Sequence, residues 1–116
     1  MTDPKPPTRA DVAARWHALV RGETTREAVH AWTVHWVEGE GAFADFAPLV
    51  ETGLQYLHGF DLCRDPARPS VLWHGEAGEG EWYHADDAVA AGLAHWQRMC
   101  ERHDADPEGW ARAIES

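Results

Sequence analysis

The sequence predicts a mainly α-helical protein: a four- to five-helix bundle with an irregular segment or a small β-hairpin around residues 70–84. Two observations lead to this fold class. Apolar residues recur at three- and four-residue spacing in several stretches of the chain. Thr or Asp residues precede these stretches and Gly residues follow them, as at the ends of helices. With 116 residues, the chain is expected to enclose one hydrophobic core.

The first seven residues contain three Pro residues and are expected to form a flexible or extended arm. The helical domain is therefore predicted to span residues 8–116. Thr8 and Asp11 have the spacing of a capping box, which predicts that the first helix begins there. Gly22 provides the stop signal at its end.

Thr24 and Glu27 repeat the capping-box spacing and predict the start of a second helix, which ends before Gly39. The connection from Gly22 to Thr24 is very short. The first two helices are therefore expected to fold back on each other as a hairpin in which their Trp residues meet.

A third helix is predicted with Pro48 in its first turn and Gly59 at its end. Residues 60–70 contain two Pro residues among charged ones, which indicates a loop. Residues 71–73 and 82–83 flank a segment rich in Gly and Glu, and a small hairpin or an irregular insert would fit this pattern equally well.

A long helix is predicted after this insert, with Asp86 or Asp87 as its N-cap and Cys100 on its apolar face. The pair Asp106-Pro107 then predicts the start of a short final helix.

The net charge of −10 arises in the middle of the chain, where residues 27–97 contain twelve acidic and two basic residues. Such a charge distribution repels nucleic acids and anionic membranes and attracts basic protein surfaces, although it also serves solubility alone. Trp side chains are frequent anchors in protein interfaces. A protein partner with a basic surface would therefore contact these acidic and aromatic residues: Glu38, Glu40, Asp45, Glu76, Glu79, Glu81, Trp73 and Trp82.

The location of the protein is predicted to be cytoplasmic. No apolar run is long enough to cross a bilayer, and the N-terminal residues lack the apolar stretch of a secretion signal. Cys63 and Cys100 are too few for a disulfide framework and fit two reduced thiols, although a single bridge between them is an alternative.

Eight His residues raise the possibility of a metal site, but no motif such as HExxH or CxxC is present. No metal or other cofactor is therefore expected as the first interpretation. As an alternative, a composite site for a metal-binding enzyme or sensor could gather ligands from the central loops, namely His58, Cys63, His74 and His84. Four other residues are predicted to lie at helix boundaries between core and solvent: His17, His30, His35 and His95.

Other chemistry has weaker support in the sequence. Cys63 has His58 and Asp61 nearby in sequence, which would suit a Cys-His pair, but a half-buried structural role is the expected one. The segment 75–81 is rich in Gly, yet its three carboxylates would repel phosphate. A small-molecule pocket between helices is a further alternative, lined by Trp16, Trp32, Trp36 and Trp96.

Two segments carry a resemblance to a known group of proteins. Residues 21–28 (RGETTREA) lead to Trp32 and Trp36, and residues 57–62 (LHGFDL) follow downstream. In these segments the chain resembles small bacterial helical proteins of the colicin-immunity-like kind. The resemblance implies an acidic inhibitor that binds a toxin and covers its basic, nuclease-like site.

Overall fold

The structure, a computed structural model, describes residues 5–65, 67–68, 70–74 and 81–115. These residues are mainly helical, as predicted, with a small antiparallel sheet between the third and fourth helices. The α-helices are α1 (Arg9–Val20), α2 (Arg26–Val37), α3 (Val50–Gly59), α4 (Asp86–Ala105) and α5 (Pro107–Glu115). The strands are β1 (Leu62–Arg64), β2 (Leu72–His74) and β3 (Glu81–Trp82), and a 3-10 turn spans Glu40–Phe43.

Helix α1 begins at the predicted capping box. The Thr8 hydroxyl accepts a hydrogen bond from the Asp11 backbone N–H at 3.1 Å, and the Asp11 carboxylate accepts one from the Thr8 N–H at 2.9 Å. Gly22 adopts a left-handed φ of 74° in the turn after the helix, a conformation that glycine adopts without steric cost. In the predicted arm, Pro7 is buried against the domain.

The predicted cap of helix α2 is wrong by one residue. Thr25, not Thr24, is the N-cap, and its hydroxyl accepts a hydrogen bond from the Ala28 backbone N–H at 3.1 Å. Either Thr would suit a helix start by residue type. The backbone decides between them, because Thr25 has the extended conformation of an N-cap and the helix begins at Arg26.

The start of helix α3 also differs from the prediction. Pro48 lies in a turn before the helix, and the N-cap is Leu49, which has a left-handed φ of 68°. The backbone oxygen of Leu49 accepts a hydrogen bond from Trp96 Nε1 at 2.9 Å. This contact joins the start of α3 to helix α4, and the helix start has no side-chain cap.

The sheet overturns two expectations for residues 60–83. Residues 62–64, predicted to be a loop, form the central strand, since the strand order is β2-β1-β3. The two flanking strands each pair antiparallel with β1 and not with each other, so the insert is a small sheet and not a hairpin of β2 and β3, which was one of the two alternatives. Both strands pair with β1, which was predicted to be a loop because Pro66 and Pro69 lie close to it in sequence.

Helix α4 begins without a side-chain cap, contrary to the prediction for Asp86 or Asp87. Asp86 instead accepts a hydrogen bond from Arg26 Nη2 at 2.8 Å. The start of helix α5 is as predicted: the helix begins at Pro107, and the Asp106 carboxylate accepts a hydrogen bond from the Gly109 N–H at 3.0 Å.

The core lies where α1, α2, α3 and α4 meet. The Trp16 and Trp96 rings stack with their centroids 5.7 Å apart. Gly53 lets α3 approach Val12 and Trp96 closely, because a Cβ there would lie 2.7 Å from Val12. Trp16 also contacts Tyr56 of α3 and Phe60, which follows α3. The expectation that the Trp residues of α1 and α2 meet is therefore wrong for Trp16.

The four Trp residues proposed to line one pocket do not share one. Trp16, Trp36 and Trp96 are buried in the core, and Trp36 also lines a surface groove together with Trp32, Pro7 and Arg15. Both thiols are free and buried, and Cys100 lies in the core as predicted. Within the described residues, no helix has the length and apolar character needed to cross a bilayer.

Candidate metal centre

Three histidine side chains from three different elements lie together at one place in the structure. They are His30 of α2, His58 of α3 and His74 of β2. One nitrogen of each ring lies within 4.8 Å of the corresponding nitrogens of the other two. Within the described part of the chain, this is the one group of three or more His, Cys, Asp or Glu residues that has the spacing of a metal site.

Local structure brings each histidine to this place. Helices α2 and α3 pack on each other, with Val29 and Leu57, which directly precede His30 and His58, fully buried in the core. Strand β1 begins three residues after the end of α3, and its first residue pairs with His74 at the end of β2. The short sheet therefore carries His74 back to the last turn of α3.

A buried carboxylate lies beside the cluster. Asp61 is only 2% exposed. One of its oxygens lies 2.5 Å from Nδ1 of His74 and 3.3 Å from Nδ1 of His30. No Lys or Arg among the described residues forms an ion pair with Asp61. A buried carboxylate is costly without a counter-charge, and a cation held by the neighbouring histidines would supply one.

Hydrogen bonds determine which nitrogen of each ring remains free. Nδ1 of His30 lies 2.9 Å from the backbone oxygen of His58, which can only accept, so this nitrogen carries the proton. Nδ1 of His74 donates to Asp61 in the same way. In both rings the neutral form leaves Nε2 with a free lone pair.

The third ring is held by Glu38, which follows helix α2. Nε2 of His58 lies 3.0 Å from the Glu38 carboxylate, and this hydrogen bond holds the pKa of Glu38 below its usual range. Glu38 is therefore ionised at neutral pH and accepts the proton of Nε2, so that Nδ1 of His58 is the free nitrogen. Each of the three rings thus has one nitrogen bonded to an oxygen acceptor and one nitrogen available as a ligand.

Zn–N distances of about 2.0–2.1 Å place tetrahedral ligand nitrogens about 3.3 Å apart. One nitrogen of each ring lies within 4.8 Å of the others, so the nitrogens would approach by up to about 1.5 Å on binding one zinc ion. Oxygen acceptors on the second ring nitrogen are also the usual outer partners of metal-binding histidines, because they fix ring orientation and tautomer.

The structure brings together two of the four residues named as candidate metal ligands, His58 and His74. Cys63 is not in the cluster: its sulfur lies 3.7 Å from the backbone oxygen of Asp61, and burial raises the pKa of its thiol. A protonated, buried thiol is also a poor nucleophile, which weighs against a catalytic Cys-His pair.

His84 lies apart from the three clustered histidines. Its ring packs against Phe60 and Tyr83, and burial, with the nearby Arg26 charge, lowers its pKa. The Arg26 guanidinium donates to the backbone oxygens of Phe60 and His84, so this region is held by structural contacts.

Sequence reasoning missed His30 as a member of the cluster. From the sequence, His30 is expected only at a helix boundary, as is His35, which lies against Trp36. The useful signal was the combination of His58 and Asp61 near the end of one helix with a His on the neighbouring helix.

The predicted partner-binding residues are distributed over several elements. Glu40 and Asp45 are exposed in and after the 3-10 turn, and Glu81 is exposed on β3. Trp82 is 38% exposed beneath the Arg26 guanidinium, whereas Trp73 is half-buried. Glu76 and Glu79, with the rest of the Gly-rich segment 75–80, lie outside the described residues.

Comparisons of the chain with known protein families, with curated proteins and with solved structures found no match. The function must therefore be argued from the arrangement of the side chains.

Proposed function

We propose that this protein binds one divalent transition-metal ion, with zinc as the best fit, through His30, His58 and His74. One observation carries the proposal: three imidazoles from separate elements converge, and each has its second nitrogen bonded to an oxygen acceptor. This pattern leaves three lone pairs for one ion and gives each ligand an outer partner.

The kind of metal follows from the ligand type. Neutral imidazole suits zinc, copper, nickel and iron, whereas calcium and magnesium prefer oxygen ligands. The carboxylates of Asp61 and Glu38 would balance the two positive charges of the ion. A bound cation would also supply the counter-charge that the buried Asp61 lacks.

Zinc titration of the purified full chain by calorimetry tests this proposal. We expect one zinc per chain with submicromolar affinity and an increase in Tm on zinc addition, because a ligand that binds only the folded state stabilises it. His74→Ala removes one ligand and should weaken zinc binding at least 100-fold. His74 is chosen because its side chain is the most exposed of the three, so its replacement disturbs the core least.

His95→Ala is the matched control, because His95 is exposed on α4 and is not a member of the cluster. Its zinc affinity should equal that of the wild type. The absence of stoichiometric zinc binding in the wild-type chain, or equal weakening in His74→Ala and His95→Ala, would refute the proposal.

Binding of a basic protein partner is a second candidate function, in line with the immunity-type interpretation of the sequence. It is supported by Phe43, which is 94% exposed in the 3-10 turn and lies between the exposed acids Glu40 and Asp45. An exposed aromatic residue among acids fits an apolar pocket with a basic rim. Co-purification of a basic protein with the chain would support this function if the complex is lost in Phe43→Ala and is weakened by salt. Failure to recover a basic protein would count against it.

A further inference from the structure

We infer that the metal centre is of the open type, with a water molecule in the fourth position that serves as hydroxide for hydrolysis of uncharged carboxylic esters or amides. This inference rests on the proposed metal binding. Structural zinc sites take four protein ligands, whereas catalytic sites take three and keep one position for water. Among the described residues, the cluster consists of three histidines and contains no fourth side chain that could bind the ion.

The cluster is open to solvent on one side. The His74 side chain is 40% exposed and the Glu38 side chain 55% exposed, whereas His30 and His58 are each 16% exposed. The nearest thiol, Cys63, is turned to the backbone oxygen of Asp61 and does not join the group. Water and small molecules can therefore reach an ion at the cluster from the side of His74 and Glu38.

The chemistry follows from neutral ligands around a doubly charged ion. Zinc in such a site lowers the pKa of bound water from 15.7 to about 7. An ion held by His30, His58 and His74 would supply a hydroxide after its water had released one proton to solvent, and the hydroxide oxygen would bond to the carbonyl carbon of the ester. The carbon–oxygen bond to the leaving group would break, and the alkoxide would take up the proton of the new carboxylic acid, so that one carboxylate and one alcohol would result.

Charge selects the substrate class. The Glu38 carboxylate lies beside the open side, and the Asp61 carboxylate lies behind the histidines. The whole chain has a net charge of −10. Such a field repels anionic substrates such as phosphate esters and leaves uncharged acyl compounds as the favoured class.

The experiment uses 4-nitrophenyl acetate as the probe and the zinc-loaded full chain as the catalyst, with zinc occupancy verified by calorimetry. We expect hydrolysis at least tenfold faster than with the zinc-free chain. The rate should rise with pH in a single sigmoid with a midpoint around pH 7, where the bound water ionises.

Glu38→Gln provides the specific readout. Loss of the negative charge next to His58 favours formation of hydroxide, so the midpoint of the pH profile should move to lower pH in the zinc-saturated variant. Glu101→Gln removes an exposed charge on α4 outside the cluster and should leave the midpoint unchanged.

A zinc-loaded chain that is no faster than the zinc-free chain, or whose rate does not depend on pH, would overturn the inference while leaving zinc binding intact. A tenfold loss of zinc affinity in Glu76→Gln, the first acid after His74 in the sequence, would also overturn it, because a protein ligand would then fill the fourth position. Failure of the wild type to bind zinc would instead refute the proposed function.

Discussion

At the scale of single residues, Asp61 has the largest influence on the candidate site. It is buried, and its carboxylate faces two ring nitrogens, those of His30 and His74. The carboxylate accepts a hydrogen bond from Nδ1 of His74, which fixes the tautomer of that ring, and it lies 3.3 Å from Nδ1 of His30, which donates to the His58 backbone oxygen. Asp65, at the other end of β1, is a buried carboxylate as well, but it bonds to the Ala67 N–H and to Arg68.

Asp61→Asn should lower zinc affinity by about 10- to 100-fold, the effect usual for loss of an outer partner of metal ligands. The reason is that a neutral amide is a weaker acceptor for the Nδ1–H of His74 and brings no negative charge to balance the ion. Calorimetric zinc titration of the folded variant measures the effect.

Asp65→Asn is the control for this substitution, since it removes a buried carboxylate from the same strand without touching the histidines. Its zinc affinity should stay within about twofold of the wild type. Equal losses in the two variants would indicate a general disturbance of β1, and an unchanged affinity in Asp61→Asn would contradict the role given to Asp61.

Part of the site could be predicted from sequence, namely that His58 and His74 belong to one composite group. Their partner His30 could not be assigned, because its position depends on how α2 packs on α3, and sequence spacing contains no such information. Cys63 and His84 were named because they lie nearby in sequence. In the structure, the Cys63 sulfur in β1 contacts the Asp61 backbone oxygen and the His84 ring before α4 packs on Phe60, so neither side chain joins the cluster.

At the scale of secondary-structure elements, the start of helix α2 offers a direct test. Thr24 and Thr25 are adjacent and chemically identical, but only Thr25 caps the helix. Thr25→Ala should lower the free energy of unfolding by about 1 kcal/mol, because the Ala28 N–H then loses its intramolecular acceptor.

Thr24→Ala should change the free energy of unfolding by less than about 0.5 kcal/mol, as for a substitution that removes no specific contact. Urea unfolding followed by circular dichroism compares the two variants. A larger loss of stability in Thr24→Ala than in Thr25→Ala would contradict the structure and support Thr24 as the N-cap, as the sequence pattern predicted.

Helices were predictable because their signals are local. The Thr8 and Asp11 box and the Asp106-Pro107 pair both act within one helical turn. The sheet was not predictable, since β1 pairs with two strands that follow it in sequence, and its composition next to Pro66 and Pro69 is typical of a loop. Strands of two or three residues carry almost no periodic pattern.

At the scale of the whole molecule, Arg9 links the two ends of the described chain. Its guanidinium binds the Asp104 carboxylate of α4 through both oxygens at 2.8 and 2.9 Å, and its Nε donates to the backbone oxygen of Pro48. The hydrogen bond from Arg9, with one from His103, lowers the pKa of Asp104 below its usual range.

This lowered pKa predicts a dependence of stability on pH. A carboxylate with a depressed pKa in the folded state stabilises it at pH values above its unfolded pKa of about 4. The contribution is lost as the pH falls through the lower folded pKa. Asp104→Asn should therefore lower the Tm by a few degrees at pH 7, and the difference from the wild type should vanish near pH 2.

Scanning calorimetry from pH 7 to pH 2 provides the measurement. Glu101→Gln is the matched control, because Glu101 lies about one turn earlier on the same helix and is exposed. Its Tm difference should be small at every pH. A difference for Asp104→Asn that persists at pH 2 would mean that the effect comes from packing and not from the charge.

The last turn of α3 has an electrostatic consequence for the candidate centre. His58 is the next-to-last residue of this helix, and its carbonyl oxygen points to the ring of His30. The C-terminal end of a helix carries a partial negative charge of about half an elementary unit. The helix dipole therefore attracts cations to this place, and protons compete with a metal ion for the same lone pairs, so occupancy by zinc should decline as the medium becomes acidic.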